Sequence, residues 1–141
     1  MPGINDDILI ALDLETTGVN SKTDRIIEVG AVKFQGGEQV DTFSALVNPQ
    51  RKLSGFIVEL TGIKQTDVDS APDWDDVKSD VAEFISGVPI IGHNVGFDAS
   101  FLRSHGVKPD GLYDTMSMAE IALPAGPEYS LGRLSQRFGF L

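Results

Sequence analysis

Residues 11–18 read Ala11-Leu12-Asp13-Leu14-Glu15-Thr16-Thr17-Gly18, ALDLETTG, and follow directly on Ile8-Leu9-Ile10. The apolar run from Ile8 to Leu14 predicts a β-strand. A strand buried on both faces excludes charge, so Asp13 and Glu15 need a reason to be there. Two apart on a strand, both side chains leave one face while Leu12 and Leu14 leave the other. Neighbouring carboxylates repel and lose hydration, a cost that protonation or a cation relieves. Hard oxygen donors of this kind suit Mg²⁺ or Mn²⁺. The plainer alternative is that the strand frays into solvent at Asp13 and that Glu15-Thr16-Thr17-Gly18 is only a turn.

Outward from this stretch, Ile26 to Phe34 (IIEVGAVKF) and Val40 to Val47 (VDTFSALV) flank Gln35-Gly36-Gly37-Glu38 and predict an antiparallel hairpin. A short helix is expected within Leu53 to Ile63, broken at Thr61-Gly62. Pro72 to Ser86 predicts a stronger one, with Trp74, Val77, Val81, Phe84 and Ile85 at helical spacing, acids in its first turn and Gly87 as its stop. Pro89-Ile90-Ile91-Gly92 reads as a short buried strand, followed by a helix from Val95 to His105. Met116 to Ala122 reads as helical, Pro124 to Pro127 as a break, and Ser130 to Phe138 as the start of a last helix. A strand and hairpin followed by alternating helices and strands predict an α/β fold with a mixed central sheet flanked by helices, one domain over residues 1–141.

Bulk properties narrow the function classes. Twenty-one acids against 11 Lys plus Arg give a net charge of -10, which excludes a broad electrostatic grip on nucleic acid. Any such partner is held locally. The absence of Cys excludes a disulfide framework, a thiolate zinc site and a catalytic thiol. The acidic start MPGINDD is unlike a signal peptide, and no apolar run approaches membrane-spanning length, so no membrane partner and a cytoplasmic location are expected.

A second constellation is His93-Asn94-Val95-Gly96-Phe97-Asp98, HNVGFD, at the end of the short strand, where sites gather in open α/β sheets. Asn94 and Asp98 are four apart at a helix start and share a face. Asn94 is a good N-cap and an acid in the first turn suits the helix dipole, so helix chemistry alone accounts for both. With Asp13 and Glu15, each expected just beyond a strand end, Asp98 makes three carboxylates able to converge on a metal cluster.

Taken together, Asp13-Leu14-Glu15-Thr16-Thr17-Gly18, Leu60-Thr61-Gly62-Ile63 and Asn94-Val95-Gly96-Phe97-Asp98 resemble the DnaQ-type 3′–5′ exonucleases of the DEDD superfamily. The proofreading PolC-type and helicase-linked DinG-type domains are the most similar. The resemblance implies a ribonuclease H-like fold and hydrolysis of the terminal phosphodiester of DNA in replication or repair. It implies two divalent ions, Mg²⁺ or Mn²⁺, with Asp13 bridging them, Glu15 on the ion that activates the attacking water and Asp98 on the other. It further implies that Thr16, Thr17 and Gly18 form the turn around the 3′-terminal nucleotide. Leu60 and Ile63 then match positions that wedge against the terminal bases, with a core role as the alternative for Ile63; Thr61 is counted with the substrate-binding residues, and Asn94 is both helix cap and phosphate-side neighbour. The implied partners are a single-stranded 3′ end and a polymerase or helicase.

The family also carries a fourth carboxylate on a later helix, as H-x-A-x-x-D or Y-x-x-x-D. His93 to Asp98 has that spacing but is the second motif itself, and His105 to Asp110 encloses Gly106-Val107-Lys108-Pro109, which is no helix interior. Tyr113 and Tyr129 are followed four residues later by Ser117 and Arg133. Three explanations stand: a fragment of a longer exonuclease, a degenerate member, or a last helix supplied by another chain. The apolar end FGFL favours the first, so the expectation is a chain whose C-terminal helix is truncated, with weak or no nuclease activity by itself and with self-association through the uncovered face. Two readings compete: a non-catalytic nucleic-acid-binding module with the same fold, or an exonuclease directed at RNA. A glycosidase fits less well because it needs its acids across a cleft, and an aspartyl-phosphate phosphatase would show Asp-x-Asp-x-Thr.

Overall fold

The computed structural model describes residues 7–123 and 128–140. Its frame is a five-stranded sheet of β1 (Ile8–Thr16), β2 (Ile26–Gln35), β3 (Glu38–Leu46), β4 (Ile90–Gly92) and β5 (Leu112–Asp114), ordered β3-β2-β1-β4-β5. β1, β2 and β3 pair antiparallel, whereas β4 joins β1, and β5 joins β4, in parallel. The mixed sheet is as expected. The hairpin turns at Gly36 and Gly37, both at positive φ, which a two-residue turn matched to strand twist requires.

The helices are α1 (Gly55–Thr61), α2 (Gln65–Asp69), α3 (Trp74–Ile85), α4 (Val95–Ser104), α5 (Thr115–Ala122) and α6 (Leu131–Arg137). Local chemistry sets several ends. Ser54 and Ser130 accept the amides of Ile57 and Arg133 as N-caps, and Gly62 closes α1 in the left-handed conformation. The short helix α2 and strand β5 were not anticipated, and the expected break at 124–127 lies outside the described residues.

One sheet face makes the main core. Ile10, Leu12 and Leu14 of β1, Val29 and Ala31 of β2 and Ile90 of β4 pack against Val77, Val81 and Ile85 of α3 and Phe101 and Leu102 of α4. A second cluster joins Ile27 to Leu53, Ile57, Ile63 and Val68, which anchors α1 and α2. The adjacent residues Ile26 and Ile27 belong one to each cluster, next to the register shift between Glu15 and Thr16. Ile63 is thus a core residue, only 7% exposed. Among the described residues no helix is long and apolar enough to cross a membrane.

Candidate active site

β1 continues through Thr16, so Asp13 and Glu15 stand within a paired strand, opposite Gly30 and Glu28. This corrects both the expected position beyond the strand end and the alternative of a strand fraying at Asp13. Alternation holds: Leu12 and Leu14 are buried, Asp13 is exposed and Glu15 half-buried on the other face.

Asp98 reaches the same place from α4. β4 pairs with β1 only at Ile10↔Ile90 and Ala11↔Ile91, which leaves the next stretch of that β1 edge without a strand. The Leu14 N–H is met there by Asp98 Oδ1 at 3.0 Å, a buried bond across 84 residues of sequence. Asp98 is 4% exposed. A buried carboxylate requires a compensating partner, and one backbone amide offsets only part of the cost. Burial, assisted by the charges of Asp13 and Glu15 and opposed by the Leu14 amide, pushes the Asp98 carboxyl from its ordinary 3.8 up to about 7. Asp13 is raised by loss of hydration, with the Leu14 amide opposing. Glu15 is raised by loss of hydration, then by the charges of Asp13 and Glu28.

These shifts describe carboxylates that share a site and lack positive charge. Among the described residues no three His, Cys, Asp or Glu side chains stand together as a closed metal cage. The donor set nevertheless fits a hard divalent ion, which takes one or two carboxylates and completes its shell with water.

The surrounding loops are built by side-chain bonds. Thr16 lies on the core side of β1 at 8% exposure, and its hydroxyl donates to the Gly18 carbonyl at 2.6 Å. The Thr17 hydroxyl donates to Asp24 and accepts the Arg25 amide at 2.9 Å. A Cβ on Gly18 would stand 2.4 Å from Asp24 Oδ2, so this turn closes only around glycine. Thr61 caps α1, donating to the Ile57 carbonyl and accepting the Ile63 amide. The three hydroxyls are committed to these bonds. Leu60, by contrast, is 67% exposed, and Phe56 one turn earlier is 70% exposed.

Asn94 differs from the expected cap. It lies in the left-handed region (φ 59°, ψ 46°) and its side chain caps nothing. Its own N–H is accepted by Asp114 Oδ1 at 3.0 Å, and the same oxygen accepts the Met116 amide at 2.9 Å. One carboxylate thus ties the entry of α4 to the entry of α5. His93, at the head of the second motif, is bonded at both ring nitrogens. Its Nε2 must carry a proton, since it donates to the Tyr129 carbonyl, and its Nδ1 lies 2.9 Å from Thr115 Oγ1.

Beside Asp13 runs an open, mainly apolar groove of about 710 Å³, bounded by Ala11, Gly30, Val32, Thr42, His93 and Leu131. It lies on the sheet face away from α3 and α4.

Comparison with known proteins agrees with this geometry. A sequence profile of the RNase T family, described as Exonuclease, matches residues 10–140. The DNA polymerase III PolC-type of Caldanaerobacter subterraneus subsp. tengcongensis is 37% identical over 134 residues, covering 92% of this chain and 10% of that protein. Its counterpart in Bacillus subtilis (strain 168) is 35% identical over 142 residues, with 96% and 10% covered. The chain therefore spans about a tenth of the length of these relatives. Among solved structures, exonuclease X in complex with 5′ overhanging duplex DNA superposes with a TM-score of 0.77 at 26% identity, covering 93% of this chain and 73% of that one. E. coli exonuclease I in complex with a dT13 oligonucleotide gives 0.81 at 16% identity, covering 93% and 35%, a likeness of fold alone. The ribonuclease H-like architecture expected from the motifs is borne out.

Proposed function

The chain belongs to the exonuclease family of the RNase T type, and on that premise we propose that it is a metal-dependent 3′–5′ exonuclease domain acting on the terminal phosphodiester of DNA. The observation that carries the reading is the bond from the Leu14 amide to Asp98, which sets a third desolvated carboxylate beside Asp13 and Glu15. In this reading the three side chains hold two divalent ions, Mg²⁺ or Mn²⁺. When bound, such ions supply Lewis-acid stabilisation of the phosphodiester and an activated water. The chain's own residues orient the strand. The Thr16-Thr17-Gly18 turn keeps its shape through Asp24, exposed Leu60 offers an apolar surface to the terminal base, and Thr61 fixes the helix end that presents it. Asn94, at the exposed start of α4, lies on the phosphate side.

A single-stranded 3′ end is the proposed partner, because the charge of -10 favours a short local contact; DNA as its chemistry is supported by the likeness to exonuclease X in complex with 5′ overhanging duplex DNA. The identity with PolC-type polymerases supports service in proofreading or repair, within a larger polymerase or helicase in the cytoplasm. A further helix carrying the fourth carboxylate would pack on the apolar groove beside Asp13. Residues 1–141 by themselves are then weak or inactive. The test is release of mononucleotides from a 3′-labelled single strand with Mn²⁺, by this chain and by a version extended through the next helix of a PolC-type relative. The extended version should degrade the strand and Asp13→Ala should abolish that activity; absence of metal-dependent release from the extended version refutes the reading.

A further inference from the structure

β2 is among the most apolar strands in the chain, yet Ile26-Ile27-Glu28-Val29 places an acid at its third position. The ladder sets Glu28 directly opposite Glu15. Directly opposed residues of an antiparallel pair share a face, with Cβ atoms about 5 Å apart, so Glu28 stands with Asp13 and Glu15 and away from the core. Like charges in that relation oppose pairing. Nothing offsets them, since among the described residues the ion pairs are Arg51–Asp24 and Arg133–Glu128, and neither includes Glu28.

The position is also flanked by buried residues. Its neighbours Ile27 and Val29 are both 0% exposed, one in each hydrophobic cluster. The register shift falls immediately beyond the Glu15–Glu28 pair, and a bulge beside a site re-aims the adjacent side chains. The charge of Glu28 is felt at the Glu15 carboxyl, which it raises. Across Asp13 the ladder places Gly30, so that side of the pair is left open.

We infer that Glu28 is a positioning residue of this site, accepting a hydrogen bond from water on the ion that Glu15 binds. Contact through water is inferred because Glu28 stands across the strand pair from Glu15 on the same face, one strand removed from the two carboxylates of β1. The inference rests on the metal-dependent reading above. It also gives the chain an internal acceptor for a water proton, a role for which residues 1–141 hold no helical H-x-A-x-x-D or Y-x-x-x-D motif.

The test is Mn²⁺ titration of the full chain by calorimetry, with water-proton relaxation to count waters on the bound ion. Glu28→Gln should lower Mn²⁺ affinity about tenfold and alter the relaxation of the bound ion, while circular dichroism and unfolding in EDTA show an intact fold. Glu28→Asp, which keeps the charge at shorter reach, should fall between the two. Wild-type affinity and relaxation in Glu28→Gln, with Asp13→Ala abolishing binding, overturn the inference and leave the site reading standing. Should Glu28→Gln not fold, unchanged affinity and relaxation in Glu28→Asp overturn it instead. If the wild-type chain binds no Mn²⁺, the inference falls, and the extended version alone decides the site reading.

Discussion

Asp98→Asn separates the charge of Asp98 from its hydrogen bond. Asparagine keeps an Oδ1 that accepts the Leu14 amide, so the 3.0 Å bond survives while the negative charge is lost. The folded-state carboxyl sits at about 7 against an ordinary 3.8, so the folded protein binds the proton more tightly than the unfolded chain. Wild-type stability therefore falls as pH rises through the window from about 4 to about 7 and is flat above it. Full conversion of that shift corresponds to about 4 kcal/mol, and water at the open side of the site reduces it to about 2 kcal/mol. In urea unfolding with EDTA, Asp98→Asn should match wild type near pH 4 and exceed it by about 2 kcal/mol at pH 8. Saturating Mn²⁺ should reverse the order at pH 8, because an ion at 100 times its dissociation constant stabilises wild type by about 2.7 kcal/mol and the variant lacks one ligand. The reasoning is refuted if Asp98→Asn is the less stable protein at pH 8 in EDTA, or if its advantage is independent of pH.

Three further outcomes follow from the same geometry. Gly18→Ala, whose new Cβ would meet the Asp24 carboxylate at 2.4 Å, should cost about 1–3 kcal/mol in urea unfolding, and Asp24→Ala in the same chain should recover part of that loss. Asp114→Ala removes the acceptor of both the Asn94 and Met116 amides and should cost about 1–2 kcal/mol, with faster hydrogen exchange at those two amides, whereas Asp114→Asn should cost less. Leu131, Phe138 and Phe140 are 59%, 58% and 80% exposed, so sedimentation should detect concentration-dependent self-association that Leu131→Ser with Phe138→Ser abolishes; identical sedimentation of the two proteins counts against an interface there.

Much of the site is legible in the chain because its signals are local. A strand repeats every two residues, so ALDLETTG alone puts Asp13 and Glu15 on one face and Leu12 and Leu14 on the other, as the burial pattern has it. Gly36-Gly37 marks the hairpin, Gly62 the end of α1 and Ser130 the start of α6, each by backbone or capping chemistry contained within a few residues. The elements that escaped are those without such a signal. β5 is three residues long and exists through its ladder to β4, and α2 is five residues long around the single buried Val68.

What only the tertiary structure decided is which distant groups meet. Asp98 serves the strand because β4 is too short to occupy the β1 edge at Leu14, so that edge is met by a side chain 84 residues away in the sequence. Asn94 turns left-handed because Asp114, twenty residues on, accepts its amide. The position of Glu28 opposite Glu15 depends on the register between β1 and β2, and residues 17–25 between them form a loop too long for its turn chemistry to set that register. Sequence periodicity determines the face a side chain leaves, because that depends on bond geometry within one element. The partner it meets there depends on strand length and register, which are settled only when both sheet faces find their cover.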